Sequence, residues 1–192
     1  MAVRHGRTAW NAEGRFQGHA DPPLDAVGRA TAHALVGELA GPEVALVASS
    51  DLRRAVDTAS PLAAACHLPL TVDARLREVD VGAWEGLRRP DIEARFPADW
   101  QAWSAGADIR RGGGETKAEA GRRAAAALLD LTAMADPGST VVVVGHGMAL
   151  QASLSLLAAT GFAALHAPPA HLGNGEWLAV TVDPTGGQRV AG

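Results

Sequence analysis

A chain of 192 residues, 47% hydrophobic and 20% charged, suits one domain with a sizeable core in a water-soluble globular protein. Its net charge of −4 gives no attraction to nucleic acid or an anionic membrane, and no apolar run is long enough to span a bilayer. The single cysteine, Cys66, cannot form an internal disulfide, and Arg4, His5 and Arg7 interrupt the N-terminus where a signal peptide would be apolar; the cytoplasm is the expected location.

Taken in chain order, strand and helix signals alternate. Met1-Ala2-Val3 is a short apolar lead into Arg4-His5-Gly6. Asp25 is placed to cap a helix running to about Ala40, with Leu35 and Leu39 on one face, and Gly41-Pro42 ends it. Val44 to Ala48 reads as a short buried strand. Ser49-Ser50-Asp51 then opens a helix through Ala55 and Ala59, with a kink expected at Pro61. Leu70 to Val72 is a third strand candidate. A looser stretch from Glu78 to Gly114 carries short helices near Asp91–Phe96 and Ala98–Ser104. Glu115 to Ala135 is a long alanine-rich helix, broken by Pro137-Gly138. Val141 to Val144 is the strongest strand, apolar on both faces as a central parallel strand is. Gly145-His146-Gly147 follows at once, then a helix from Met148 to Ala159. Glu176 to Val182 reads as one late strand, with Gln188-Arg189-Val190 as a pairing partner. No internal repeat or low-complexity linker interrupts the 1–192 span, which reads as a single domain. The alternation predicts an α/β sandwich with a mainly parallel sheet, and such sheets bind ligands at the carboxyl ends of their strands.

Four separated segments carry chemistry. Arg4-His5-Gly6 joins a planar fork of donors, an imidazole and a glycine that lets backbone N–H groups approach an anion. Arg53-Arg54 follow the Val44–Ala48 strand, Glu78 follows the third strand, and His146 follows the valine strand. Phosphoryl transfer asks for positioning and for positive charge around the equatorial oxygens, which two arginines and a second, protonated histidine supply. A neutral imidazole attacks phosphorus; a carboxylic acid protonates the leaving oxygen and then activates water. The arginine count itself is uninformative. Lys117 is the only lysine among 17 basic residues, and alanine is abundant too, as a compositional bias of the coding sequence produces. His19, His33, His67, His166 and His171 lack such neighbours, and His166 and His171 do not show metal-site spacing. Trp84, Trp100, Trp103 and Trp177 read as core or pocket wall.

These segments resemble the histidine phosphatase superfamily, also called phosphoglycerate mutase-like. Arg4-His5-Gly6, continued by Thr8, Asn11, Arg15 and Gln17-Gly18, is similar to its signature. Ser50-Asp51-Leu52-Arg53-Arg54-Ala55 with Thr58-Ala59 resembles its second motif, in which the phosphate-binding arginine is Arg54 rather than Arg53. Leu76-Arg77-Glu78, then Gly82 and Trp84-Glu85-Gly86, resembles the segment with the acid/base glutamate. Gly112-Gly113-Gly114-Glu115 and Val144-Gly145-His146-Gly147 complete the order.

The resemblance implies a three-layer α/β/α sandwich. It implies that His5 is the phosphorylated nucleophile, that Arg4, Arg54 and His146 bind the phosphate, and that Glu78 is the proton donor, with Asp80 and Glu85 as rivals. Thr8, Asn11, Gln17, Gly18 and the Gly147 backbone are the implied further substrate contacts. No metal and no organic cofactor is implied. The expected partner is a small phosphorylated metabolite of the sugar phosphate or phosphoglycerate type; a homodimer stays open. Three readings remain: a phosphatase, a phosphoglycerate mutase and a non-catalytic phosphate-binding protein. The short Gly86–Gly112 region favours the phosphatase, because a mutase needs covering segments that keep water from its intermediate. Ser49 to Ala55, Leu76-Arg77-Glu78 and Gly173-Asn174 carry a finer resemblance to the glucosyl-3-phosphoglycerate phosphatase and broad-specificity phosphatase branches. The resemblance also marks an unusual feature, since only three residues precede Arg4 where the family's first strand is longer.

Overall fold

Val141 to Val144 are apolar on both faces, and the structure places them where such a run belongs, in the middle of a sheet. The structure is a computed structural model that describes residues 1–164 and 172–183. Its main sheet has five strands in the order β3-β2-β4-β1-β6: β1 (Ala2–Arg4), β2 (Val44–Ser49), β3 (Leu70–Val72), β4 (Thr140–Gly145) and β6 (Trp177–Leu178). All neighbours are parallel except β1 and β6.

The helices divide by face. Val142 and Val144 point with Val3 and Val47 into a core shared with α2 (Ala26–Leu39) and α3 (Arg53–Ala65), through Leu35, Leu39, Ala55, Ala59 and Leu62. Val141 and Val143 point the other way, to α6 (Lys117–Ala133) and α7 (Gly147–Ala159), through Leu128, Leu131, Leu150, Leu154 and Leu157. Period-two alternation along one strand thus builds both cores, and the three-layer sandwich follows. Asp25 caps α2 by accepting from the Gly28 N–H. The predicted 115–135 helix begins later, because Thr116 and Glu119 form the capping box of α6 and leave Glu115 outside it. The helix predicted over the Pro61 segment is α3, which runs through that proline to Ala65.

The three-residue first strand is supported along its whole length. It pairs with β4 on one side (Ala2↔Val143 to Arg4↔Gly145) and with β6 on the other. The Met1 amino group adds a bond to the Val141 carbonyl (2.6 Å). The late strand predicted over Glu176 to Val182 is two strands: Trp177–Leu178 pairs with β1, and β7 (Thr181–Val182) pairs with β5 (Ala163–Ala164) in a separate sheet. Gln188-Arg189-Val190, expected to pair there, lies outside the described residues.

The looser stretch supplies a third cluster beside the sheet. Two short helices, α4 (Arg89–Arg95) and α5 (Pro97–Ser104), close over fully buried Trp84 with Ile92, Trp100, Phe16 and Trp103. Trp84 meets Phe16 edge-on with ring centroids 5.7 Å apart, and Trp103 at 5.9 Å.

Candidate active site

Every predicted reactive residue follows a strand. Arg4 ends β1 and His5 comes next, Arg54 lies in the first turn of α3 after β2, and His146 joins β4 to α7. A parallel sheet delivers all these ends to one edge. His5, Arg4, Arg54, Glu78, Asn11, Gln17, Gly18 and Gly147 line one cavity of about 400 Å3 there. A larger space of about 760 Å3 lies at the other end of the strands, against Met1, Thr140 and Val141; its lining has no arginine or histidine to hold an anion.

His5 is 2% exposed and its Nδ1 lies 2.7 Å from the Gly6 carbonyl oxygen. A carbonyl only accepts, so Nδ1 carries the proton and Nε2 keeps the lone pair. Burial, then Arg54, push the imidazole down to about 3, against the opposing pull of the Gly6 carbonyl. His5 is therefore a neutral base at ordinary pH.

His146 lies beside it, with ring centroids 5.1 Å apart, and is fully buried. Burial, then the charge of Arg54, push its pKa well below the usual histidine value. That direction runs against the expectation of a protonated second histidine. Ser50 orients the ring. Its hydroxyl oxygen accepts from the Leu52 N–H (3.2 Å) and lies 2.9 Å from Nε2 of His146. The other ring nitrogen, Nδ1, is buried with no partner among the described residues.

Arg54 has no exposed surface. Its Nη1 donates to the Ala20 carbonyl (2.6 Å) and its Nη2 to that of Gly18 (2.9 Å), while Nε is unpaired among the described residues. Burial lowers its pKa to about 10, with Glu78 and Asp21 opposing, so the guanidinium stays charged at neutral pH. The 18–20 loop is itself held by Glu85, which accepts the His19 and Ala20 N–H groups (2.6 and 3.0 Å). Arg4 reaches the Leu172 carbonyl (2.6 Å), and burial also lowers its pKa. Arg53, by contrast, is exposed and pairs with Asp57 at 3.5 Å.

Glu78 is anchored at the N-terminal turn of α7. Its carboxyl oxygens accept from the N–H groups of Val79 (2.9 Å), Met148 (3.2 Å) and Ala149 (3.0 Å). Its carbonyl is fixed by Arg123 (2.6 Å) and by the His19 ring (2.9 Å). Arg123 in turn makes a forked pair with Glu115 (2.8 and 2.6 Å). The rivals are spent elsewhere: Asp80 accepts from the Gly82 N–H (2.8 Å), and Glu85 holds the loop under Arg54.

Two expectations about the signature are revised. Gly6 does not present its N–H to the cavity, because that group donates to Thr58 Oγ1 (2.9 Å). A Cβ on Gly6 would stand 2.6 Å from the Gly28 carbonyl, so the glycine is needed for the close approach of α2. Thr8 does not line the cavity either. It is fully buried, caps the one-turn helix α1 (Ala9–Ala12), and its hydroxyl meets Asn11 and Gln17. Asn11 and Gln17 are thereby oriented at the cavity wall. The sequence reading missed Ser50, Arg123, His19 and Asn174. Asn174 donates to the His5 carbonyl (3.1 Å), and the neighbouring Gly175 N–H to that of Arg4 (3.0 Å). Only Ser50 and Asn174 carried a sequence signal, inside motifs quoted for other residues.

A neutral imidazole with a free lone pair, two guanidinium groups and a carboxyl group share one cavity, with a second, buried histidine ring beside the first. That set defines a phosphate-handling α/β protein, since no other common metabolite group uses so many converging donors around a nucleophile. The chain belongs to the histidine phosphatase superfamily (branch 1), whose family profile matches residues 1–191. It is 36% identical over 187 residues to the glucosyl-3-phosphoglycerate phosphatase of Mycobacterium tuberculosis, covering 92% of this chain and 82% of that protein. It is 41% identical over 162 residues to a probable phosphoglycerate mutase GpmB of Yersinia enterocolitica, covering 81% and 72%. Among solved structures, the mycobacterial glucosyl-3-phosphoglycerate phosphatase complexed with VO3 superposes with a TM-score of 0.77 at 32% identity, covering 95% of both chains.

Proposed function

We propose that this histidine phosphatase hydrolyses a small phosphomonoester of the sugar phosphate or glycerate type through a phosphohistidine on His5. One observation carries the reading: His5 is neutral, with Nδ1 spent on the Gly6 carbonyl, so its free Nε2 is the nucleophile in an arginine-lined cavity. Nε2 attacks phosphorus in line and the ester P–O bond breaks. Glu78 gives its proton to the leaving oxygen. As a carboxylate it then takes a proton from water, which attacks phosphorus; the N–P bond breaks and inorganic phosphate leaves. Arg4, Arg54 and His146 hold the equatorial oxygens throughout. The names of the relatives support a glycerate-type substrate, and no step calls for a metal.

The mutase reading rests on the GpmB relative. A mutase must keep water from its intermediate, and the region between Gly86 and Gly112 is short for such a cover. The test is turnover of p-nitrophenyl phosphate, sugar phosphates and 3-phosphoglycerate with a chelator present. Phosphate release that falls by about three orders of magnitude or more in His5→Ala is expected. A rate unaffected by that change refutes the phosphohistidine, and isomerisation of 3-phosphoglycerate faster than phosphate release makes the protein a mutase.

A further inference from the structure

Arg111 is a buried cation that nothing described so far uses. It is 3% exposed, yet among the described residues no carboxylate lies within ion-pair distance of it. Among the described residues the one hydrogen bond of its guanidinium runs from Nη1 to the thioether sulfur of Met148 (3.2 Å), a weak acceptor, and its Nε has no partner. The guanidinium carbon lies 5.6 Å from the Trp103 ring centre, so one side of the fork is backed by an indole. Five N–H donors thus meet one sulfur and an aromatic ring, which is poor compensation for a desolvated charge. Burial accordingly lowers its pKa, and the acids that oppose this are Glu78, then Asp108.

Its place gives the spare donors a use. Met148 is in the wall of the His5 cavity, and its N–H holds Glu78. Arg111 therefore lies directly behind that wall, on the Glu78 side. Its backbone is pinned: Gly112 has a φ of +56°, and a Cβ there would stand 2.4 Å from the Val81 carbonyl. The side chain in front is a methionine, unbranched and with three rotatable bonds, the type that yields most readily to a ligand.

We propose that Arg111 is the substrate-reading residue of this site, receiving the carboxylate at the far end of a three-carbon phosphate ester once Met148 turns aside. The inference rests on the phosphatase reading and deepens it: phosphate is gripped by Arg4, Arg54 and the two histidines, while Arg111 selects glycerate-type esters over neutral ones. A forked guanidinium matches a carboxylate with two parallel bonds, and a buried pair of this kind discriminates strongly against a partner lacking the charge.

The test compares 3-phosphoglycerate with glycerol 3-phosphate, which differ in carboxylate against hydroxymethyl. In the wild type the ratio of kcat/KM favours 3-phosphoglycerate. In Arg111→Met that ratio falls by about tenfold or more, and Arg111→Lys lies between. The same comparison is read as binding to His5→Ala protein, with and without Arg111→Met, so an answer does not depend on turnover. An unchanged ratio in both measurements overturns the proposal. Equal losses on both esters, or one shift of the pH–rate profile shared by both, also overturn it, since Arg111 would then act on the fold or on Glu78. A wild type that binds 3-phosphoglycerate selectively through Arg111 but hydrolyses neither ester counts against the phosphatase reading alone.

Discussion

Two neutral histidines buried beside two arginines make the folded protein sensitive to acid in a way that can be worked through. His5 is held at about 3 against an ordinary 6.5, and His146 is pushed down by the same causes. In the unfolded chain both titrate normally. Below about pH 6.5 the unfolded state therefore binds protons that the folded state refuses, and stability falls as pH falls toward 3. Between pH 7.5 and 5.5 this linkage costs about 1.4 kcal/mol for His5, and His146 adds to it with the same sign. The Met1 amino group, lowered to about 6 by burial, contributes with the same sign and must be subtracted. Urea unfolding at the two pH values, in the wild type and in the His5→Asn/His146→Asn double variant, makes that subtraction. The wild type is expected to lose about 1.4 kcal/mol or more beyond the loss of the double variant. Equal losses in the two proteins would refute the claim that both rings are neutral in the folded state.

Glu78→Gln keeps an acceptor for the α7 N–H groups but cannot donate a proton to an alkoxide. It should cost about 10²–10⁴-fold in kcat on alkyl phosphates and much less on p-nitrophenyl phosphate, whose leaving group needs little help. Equal losses on both would assign the acid elsewhere. Trp84→Ala empties the centre of the Phe16–Trp100–Trp103 cluster and should destabilise the protein by about 3–5 kcal/mol in denaturant unfolding. A change below about 1 kcal/mol would mean the cluster contributes little to the fold.

The two levels of description divide along physical lines. Local chemistry was legible in the residues: the Asp25 cap, the valine strand, the alternation of strands and helices, and the motifs carrying His5, Arg54, Glu78 and His146. Each depends on a few contiguous positions, or on periodicity that one segment contains. What depends on a partner far along the chain was not legible. A strand of three residues looks weak until β4 and β6 flank it, and the late strand proves to be two because its two halves pair with different, distant strands. The signature glycine reads as an anion-binding residue until Gly28 is found against it. Charge states belong to the same class. The residues suggested a protonated second histidine, but the protonation of His146 is governed first by burial and then by the charge of Arg54. The clamp of Arg123 and Glu115 on the Glu78 backbone, and the unspent guanidinium of Arg111 behind Met148, exist only once distant segments meet. The sequence by itself determined which groups can react. The tertiary structure decided which proton each one carries, because desolvation and the nearest charges are properties of packing.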